Sequence, residues 1–171
     1  MYKFYGISIL ILALDQFTKW LIKSNLELQE QVQVLGEFFV ITSHRNRGAA
    51  FGILQDQRWF FILITIVILA GLIWYLNRLL KEGKKLLPTA LSLILGGALG
   101  NFIDRALYGE VVDFFQFTFD FSLAGKSVYY VYPIFNVADM AIVIGVGLII
   151  VDSLMAWRNE KRGMVNDASN R

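Results

Sequence analysis

Four stretches of this 171-residue chain are long and apolar enough to cross a hydrocarbon layer as helices: residues 4–22, 59–76, 87–106 and 134–157. A bilayer core of about 30 Å takes ~20 residues of helix. Inside it the backbone finds no water, so a spanning segment must close its own hydrogen bonds. That constraint predicts an all-α membrane protein with four transmembrane helices in a single integral membrane domain, residues 1–171. Composition agrees: only 18% of residues are charged and 56% are hydrophobic, against about 25% charged in soluble domains. The first stretch has the position of a cleavable signal peptide. Asp15 and Lys19 interrupt it, however, and no small-residue cleavage site follows, which predicts a retained helix.

Orientation follows from the basic residues, which favour the cytoplasmic side. Lys3 precedes the first span; Arg78, Lys81, Lys84 and Lys85 fill the loop between the second and third; Arg158, Lys161 and Arg162 follow the fourth. With four spans these groups share one side, so both termini are predicted cytoplasmic. The tail from Arg158 to Arg171 reads as a flexible end. Segments 24–58 and 107–133 then face outward, where Arg45, Arg47 and Arg58 weaken the bias without reversing it.

The outward segments carry strand signals. Phe38-Phe39-Val40-Ile41-Thr42 follows the turn residue Gly36. Phe115, Phe117, Phe119 and Phe121 alternate with polar residues, a period of two that puts four rings on one strand face. A small β-rich cradle at the membrane–water interface, joined by an interfacial loop or helix segment, accounts for both; a sheet that only caps the bundle fits equally. Gly96 and Gly100 form a Gly-xxx-Gly pair that permits close helix packing.

Several chemistries are excluded or narrowed. There is no cysteine, hence no disulfide, thiolate nucleophile or Cys-ligated zinc, and the one histidine, His44, makes a His-rich metal site improbable. No metal or other cofactor is expected. The net charge of +2 and the lack of a basic run give no nucleic-acid footprint. Ser8, Ser92 and Ser153 offer hydroxyls for a Ser-Lys scheme, but no lysine matches them in depth on the outer side.

Ionisable residues inside a membrane are costly and usually have a partner or a purpose. Asp15 and Lys19 stand four apart on one helical face; they are either a neutralising pair or a brace for a neighbouring polar site. Asn101, Asp104 and Arg105 share a face near the outer end of the third span, as an ordinary interfacial helix end or as site support. Arg105 has the fork geometry to hold a carboxylate. Asn136 and Asp139 share a face at the outer start of the fourth span. Asp113 sits among apolar neighbours just after the third, so Asp113 and Asp139 belong to one membrane level. Two carboxylates meeting in a poorly hydrated place share one proton, which is the arrangement of an aspartic protease. Asp152 lies 13 residues beyond Asp139 and reads as a solvated charge at the inner boundary.

Asn46-Arg47-Gly48-Ala49-Ala50-Phe51, Gly100-Asn101-Phe102-Ile103-Asp104-Arg105, Val111-Val112-Asp113-Phe114 and Phe135-Asn136-Val137-Ala138-Asp139 resemble, in order and spacing, the motif set of lipoprotein signal peptidase (signal peptidase II). Asp15 and Lys19 match that family's first-helix motif, and the resemblance runs from about residue 10 to 145. It implies a multi-pass protease of the bacterial inner membrane with its active site on the extracytoplasmic side. Such an enzyme removes signal peptides from prolipoproteins just before a diacylglyceryl-modified cysteine, and is the target of the cyclic peptide globomycin. By motif, Asp113 and Asp139 correspond to the catalytic dyad. Asn46, Gly48, Asn101, Arg105 and Asn136 would support substrate and dyad, with Asp15, Lys19 and Asp104 as structural polar partners. Expected partners are the lipid-modified substrate and membrane lipid. The chain departs from the pattern in a longer stretch between Asp113 and Asn136, and in Met140, where a smaller residue is expected at the pocket rim.

Two readings compete: a small proton-coupled transporter, which would want carboxylates reachable from both sides and often a repeated architecture, and a non-catalytic membrane scaffold whose acids only bind Arg105 and Lys19. The sequence offers the transporter neither feature.

Overall fold

A computed structural model describes residues 2–48, 55–123 and 126–169. In chain order the elements are α1 (Tyr2–Asn25), β1 (Gln31–Leu35), β2 (Phe39–Asn46), α2 (Arg58–Leu79), α3 (Leu86–Tyr108), β3 (Val111–Leu123), β4 (Lys126–Val131) and α4 (Val137–Ser169). All four helices are long and apolar enough to span a membrane. Their outward surfaces carry exposed Ile, Leu, Val, Phe and Trp side chains, while Asp15, Lys19, Asp104 and Asn136 are completely buried. That inversion of the soluble pattern is what a lipid solvent selects.

Helix α3 is central and packs against α1, α2 and α4. Its glycines explain how. A Cβ at Gly96 would lie 2.7 Å from the Ser8 carbonyl oxygen, and one at Gly100 would run into the Asp15 carboxyl, so the Gly-xxx-Gly pair seats α1. Gly97 faces the Ala138 carbonyl, and Gly145 of α4 sits against the Ala90 carbonyl, so a second pair of small residues seats α4. Ser8 donates to the Ser92 carbonyl at 2.8 Å, and Ser92 and Ser153 donate back to Pro88 and Ile149 one turn earlier. These hydroxyl hydrogens satisfy backbone carbonyls.

The interior is divided along its length. Near the α2–α3 turn it is apolar, built from Phe4, Leu69, Leu76, Leu79, Leu91 and Leu95. From Leu95 to Asp104 along α3, about 14 Å at 1.5 Å per residue, it becomes polar. The sheet closes that polar end.

The sheet is antiparallel with strand order β1-β2-β3-β4. Gly36, at φ +54°, turns β1 into β2 as its position predicts. A register shift between Ile41 and His44 aligns Asn46 with Val111 and His44 with Asp113. The alternating rings of β3 gather with those of neighbouring segments: Phe117 stacks on Phe39 at 4.7 Å and on Phe135 at 5.9 Å, and Phe38 packs edge-on against Phe117 and Phe119.

Two boundaries differ from expectation. Residues 134–136 precede α4, because Phe135 pairs with Phe115 and Asn136 caps the helix. The segment after Arg158, expected as a flexible end, continues the helix through Ser169; it contains no proline to stop it. The motif residues Ala49, Ala50 and Phe51 lie outside the described residues.

Candidate active site

Three asparagines and two aspartates at the polar end form one network, and Asn136 is its centre. Asn136 is the N-cap of α4 and Asp139 its third helical residue. The Asn136 Oδ1 accepts from the Asp139 amide at 3.0 Å, and Asp139 Oδ2 accepts in return from the Asn136 amide at 3.1 Å. This reciprocal pair is a capping box built with Asn and Asp, a pattern legible in Asn136-Val137-Ala138-Asp139. Because its oxygen is committed to the cap, the Asn136 amide group points away from α4. There it donates to Asp113 Oδ1 at 2.7 Å, to Asn101 Oδ1 at 3.1 Å and to the Val112 carbonyl at 3.3 Å. One buried residue thus grips both carboxylates.

Each carboxylate has a second donor. Asn46 of β2 reaches across the sheet to Asp113 Oδ2 at 2.9 Å, its own oxygen held by the Gly48 amide. Asn101 of α3 donates to Asp139 Oδ1 at 2.8 Å. Asp113 is almost fully buried. Burial first, and then the Asp139 charge, push its carboxyl up to about 7, against the downward pull of Asn46, Asn136 and Lys19. Asp139 stands at the N-terminal, positive end of α4, a setting suited to a carboxylate.

Beneath this pair lies a buried ion cluster. Lys19 spends its three donors on Asp15 at 2.8 Å, Asp104 at 2.9 Å and Asn101 Oδ1 at 2.9 Å. The last contact fixes the Asn101 amide so that its nitrogen faces Asp139. Asp15 accepts from the Ala138 amide at 3.0 Å, satisfying an otherwise orphaned donor at the start of α4. Of the two readings of Asp15 and Lys19, the pair is therefore more than self-neutralising: it braces the polar end of the bundle.

Arg105 donates to the Gly48 carbonyl at 3.0 Å and lies 4.7 Å over the Phe61 ring; its buried Nε finds no partner among the described residues. It holds the 46–48 segment rather than a carboxylate. A cavity of about 510 Å³ opens over the network, lined by the polar Asn46, Asn101, Arg105, Asp113 and Asp139 together with Tyr132, Pro133, Ile134, Phe135, Met140, Val143 and Ile144. Met140 does line the rim.

Three supporting residues escaped the sequence reading. Gln16 donates to Asp15, Asp104 and the Gly100 carbonyl, each at 3.2 Å. Arg58, read only as a charge, caps the Arg105 and Ala106 carbonyls at 2.9 and 2.7 Å at the end of α3. Glu110 sits between Arg47 at 3.1 Å and Arg45 at 3.7 Å. Only Gln16 had a local signal, its place beside Asp15. Among the described residues no group of three or more His, Cys, Asp or Glu side chains is placed to hold a metal ion.

Fold and site together define a multi-pass membrane protein with two hydrogen-bond-linked carboxylates at one end of a four-helix bundle. The family model for signal peptidase II matches residues 7–155, and this chain belongs to that peptidase family. It is 52% identical over 158 residues to a lipoprotein signal peptidase of Brevibacillus brevis, covering 92% of this chain and 99% of the relative. The Shouchella clausii protein of that name is 49% identical over 92% of this chain and 97% of its own length, and that of Bacillus subtilis 46% identical over 93% and 97%. Two bacterial membrane enzyme structures obtained by the in meso method align with TM-scores of 0.79 and 0.74 at 40% and 41% identity, covering 93% and 90% of this chain and 92% and 94% of theirs.

Proposed function

We propose that this chain is an intramembrane aspartic endopeptidase that removes the signal peptide from diacylglyceryl-modified prolipoproteins, cutting just before the lipidated cysteine. The observation that carries the reading is the single Asn136 side chain that bonds Asp113 and caps against Asp139. It ties the two acids into one hydrogen-bonded unit. Asp113, raised to about 7 by burial and the neighbouring Asp139 charge, keeps its proton in part of the molecules at neutrality and serves as the acid of the pair.

Hydrolysis then needs no other group. The Asp139 carboxylate takes a proton from water as the water oxygen attacks the scissile carbonyl carbon, and Asp113 gives its proton to the carbonyl oxygen. Collapse of the tetrahedral intermediate breaks the C–N bond: a hydroxyl proton of the intermediate returns to Asp113 as the carbonyl reforms, and the amine leaves with the proton held by Asp139. Asn46 and Asn101 orient the acids. Arg105 and Gly48 keep the 46–48 segment at the cavity edge, where it flanks the substrate backbone. A clamp over the peptide, formed by the Phe-rich strand β3 and the loop around Asn46, belongs to the same proposal.

The basic ends of the helices, Lys3, Arg78 to Lys85 and Arg158 to Arg162, support an orientation with both termini cytoplasmic. The sheet and the acids are then on the extracytoplasmic side of the bacterial inner membrane, with the β-rich cradle at the interface. A substrate cysteine bearing acyl chains can stay in the bilayer while its scissile bond meets acids at that level. Globomycin is expected to compete for the same cavity.

The test is cleavage of a lipidated precursor peptide by purified protein. Asp113→Asn and Asp139→Asn should each abolish cleavage while the protein still inserts and folds. Cleavage that survives either change removes the dyad. A chelator should leave the rate unchanged.

A further inference from the structure

The edge strand β4 runs straight into the cavity. It ends at Val131, and the residues that follow, Tyr132 to Phe135, line the cavity with the acids. The other edge strand, β1, contributes nothing to that lining among the described residues. The ladder shows which groups of β4 stay unused. Thr118 pairs with Val131 and Phe119 with Tyr130, and the Tyr132 amide donates to the Phe117 carbonyl at 2.8 Å. Antiparallel bonding alternates, so Tyr132, Tyr130 and Val128 bond toward β3, while Ser127, Tyr129 and Val131 turn their N–H and C=O groups away from it. The Thr118 amide donates to the Phe38 carbonyl on the β2 side, as the same alternation requires. Among the described residues the outward groups have no partner, and all three residues are exposed. Natural sheets blunt such edges with charges, prolines or bulges. Here the register from Lys126 to Val131 is unbroken, Lys126 is the strand's single charge, and Pro133 comes only after its end.

We propose that the β4 edge binds the mature segment of the precursor, the residues just after the modified cysteine, as an added antiparallel strand. The inference rests on the reading that this chain cuts prolipoproteins, with the sheet on the extracytoplasmic side. The signal peptide then stays in the bilayer, and the mature segment continues outward past the sheet. Direction favours the pairing. β4 runs toward the cavity, from Lys126 to Val131, whereas a peptide leaving the cavity after its cysteine runs away from it, so the two chains meet antiparallel. From Val131 to Asn136 is at most about 17 Å of extended chain, which about five mature residues span. Main-chain pairing of this kind supplies affinity with little demand on side-chain identity.

The first test leaves the enzyme unaltered. Precursors with about ten mature residues carry a single N-methyl group, moved one residue at a time along the mature segment. On an amide that pairs with β4, the methyl group removes the bond and should raise KM about tenfold, the factor for about 1.4 kcal/mol. On the amides between, which point away from β4, it should leave KM unchanged. A KM that ignores N-methylation, or that rises without a two-residue period, overturns the proposal. In the second test, Tyr129→Pro removes an outward N–H while sparing the bonds that Val128 and Tyr130 make to β3. It should raise KM for the long precursor with kcat unchanged, and leave cleavage of a precursor truncated just after the cysteine as in wild type. Equal wild-type KM for the two precursors overturns the added strand while leaving the peptidase reading intact. A Tyr129→Pro enzyme with wild-type thermal midpoint and wild-type KM for the long precursor does the same. If the edge instead pairs with a second copy of this chain, Tyr129→Pro changes the oligomeric state in nanodiscs without altering KM, which also overturns the proposal. Failure of the wild-type protein to cleave any lipidated precursor defeats the peptidase reading itself.

Discussion

Replacing Asn46 by alanine isolates one hydrogen bond to the dyad. Asn46 donates to Asp113 Oδ2 at 2.9 Å, and among the described residues its side chain otherwise only accepts from the Gly48 amide. A donor to a carboxylate favours the charged form, so losing it must raise Asp113 further above the value of about 7 set by burial and Asp139. A hydrogen bond to a charged group is worth about 1.5–3 kcal/mol. At 1.36 kcal/mol per pKa unit, that corresponds to about one to two units. The active dyad carries one proton and loses activity as that proton leaves. The alkaline limb of kcat/KM should therefore move upward by about one to two pH units, with a lower plateau because Asp113 is less well oriented. The assay is cleavage of a lipidated precursor in detergent micelles across the range from acid to alkaline pH. A limb that stays put, or shifts to lower pH, refutes the assignment of the proton to Asp113. Asn136→Ala should move the limb the same way, but it also strips the N-cap of α4, at a cost of about 0.5–2 kcal/mol.

The remaining predictions concern the scaffold. Lys19→Met leaves Asp15 and Asp104 buried without their cation and should destabilise the protein by about 3–5 kcal/mol, read as a lowered thermal midpoint in detergent; adding Asp15→Asn and Asp104→Asn should recover part of that loss. Gly97→Ala drives a methyl against the Ala138 carbonyl, backbone that cannot yield cheaply, and should cost about 1–3 kcal/mol. Gly147→Ala, into open space, should be neutral or slightly stabilising by the same measurement. Ser8→Ala should retain cleavage, since its hydroxyl is bonded to a helix carbonyl; loss of activity without loss of folding would reopen serine chemistry.

Hydropathy and periodicity are local properties, and what they govern was legible in the chain. The four helices, the Gly36 turn, the ring alternation of β3 and the acids at the helix ends beside the sheet all follow from neighbours within a few residues. So did the Asp15–Lys19 pair, one turn apart. The Asn136–Asp139 cap was equally local, though its meaning as a clamp on both acids was not. The helical course of residues 158–169 was misread because charge was taken for flexibility, while Arg158, Glu160, Lys161 and Arg162 are good helix formers and no proline stops α4. Tertiary structure decided which distant groups complete each hydrogen bond. Asp104 joins Lys19, Asn101 turns its amide toward Asp139, Arg58 closes the end of α3, and Arg105 binds the Gly48 carbonyl rather than an acid. Those choices depend on how α1 and α4 seat against Gly96, Gly97 and Gly100 of α3. A shift of one turn there would exchange every partner without altering any local pattern.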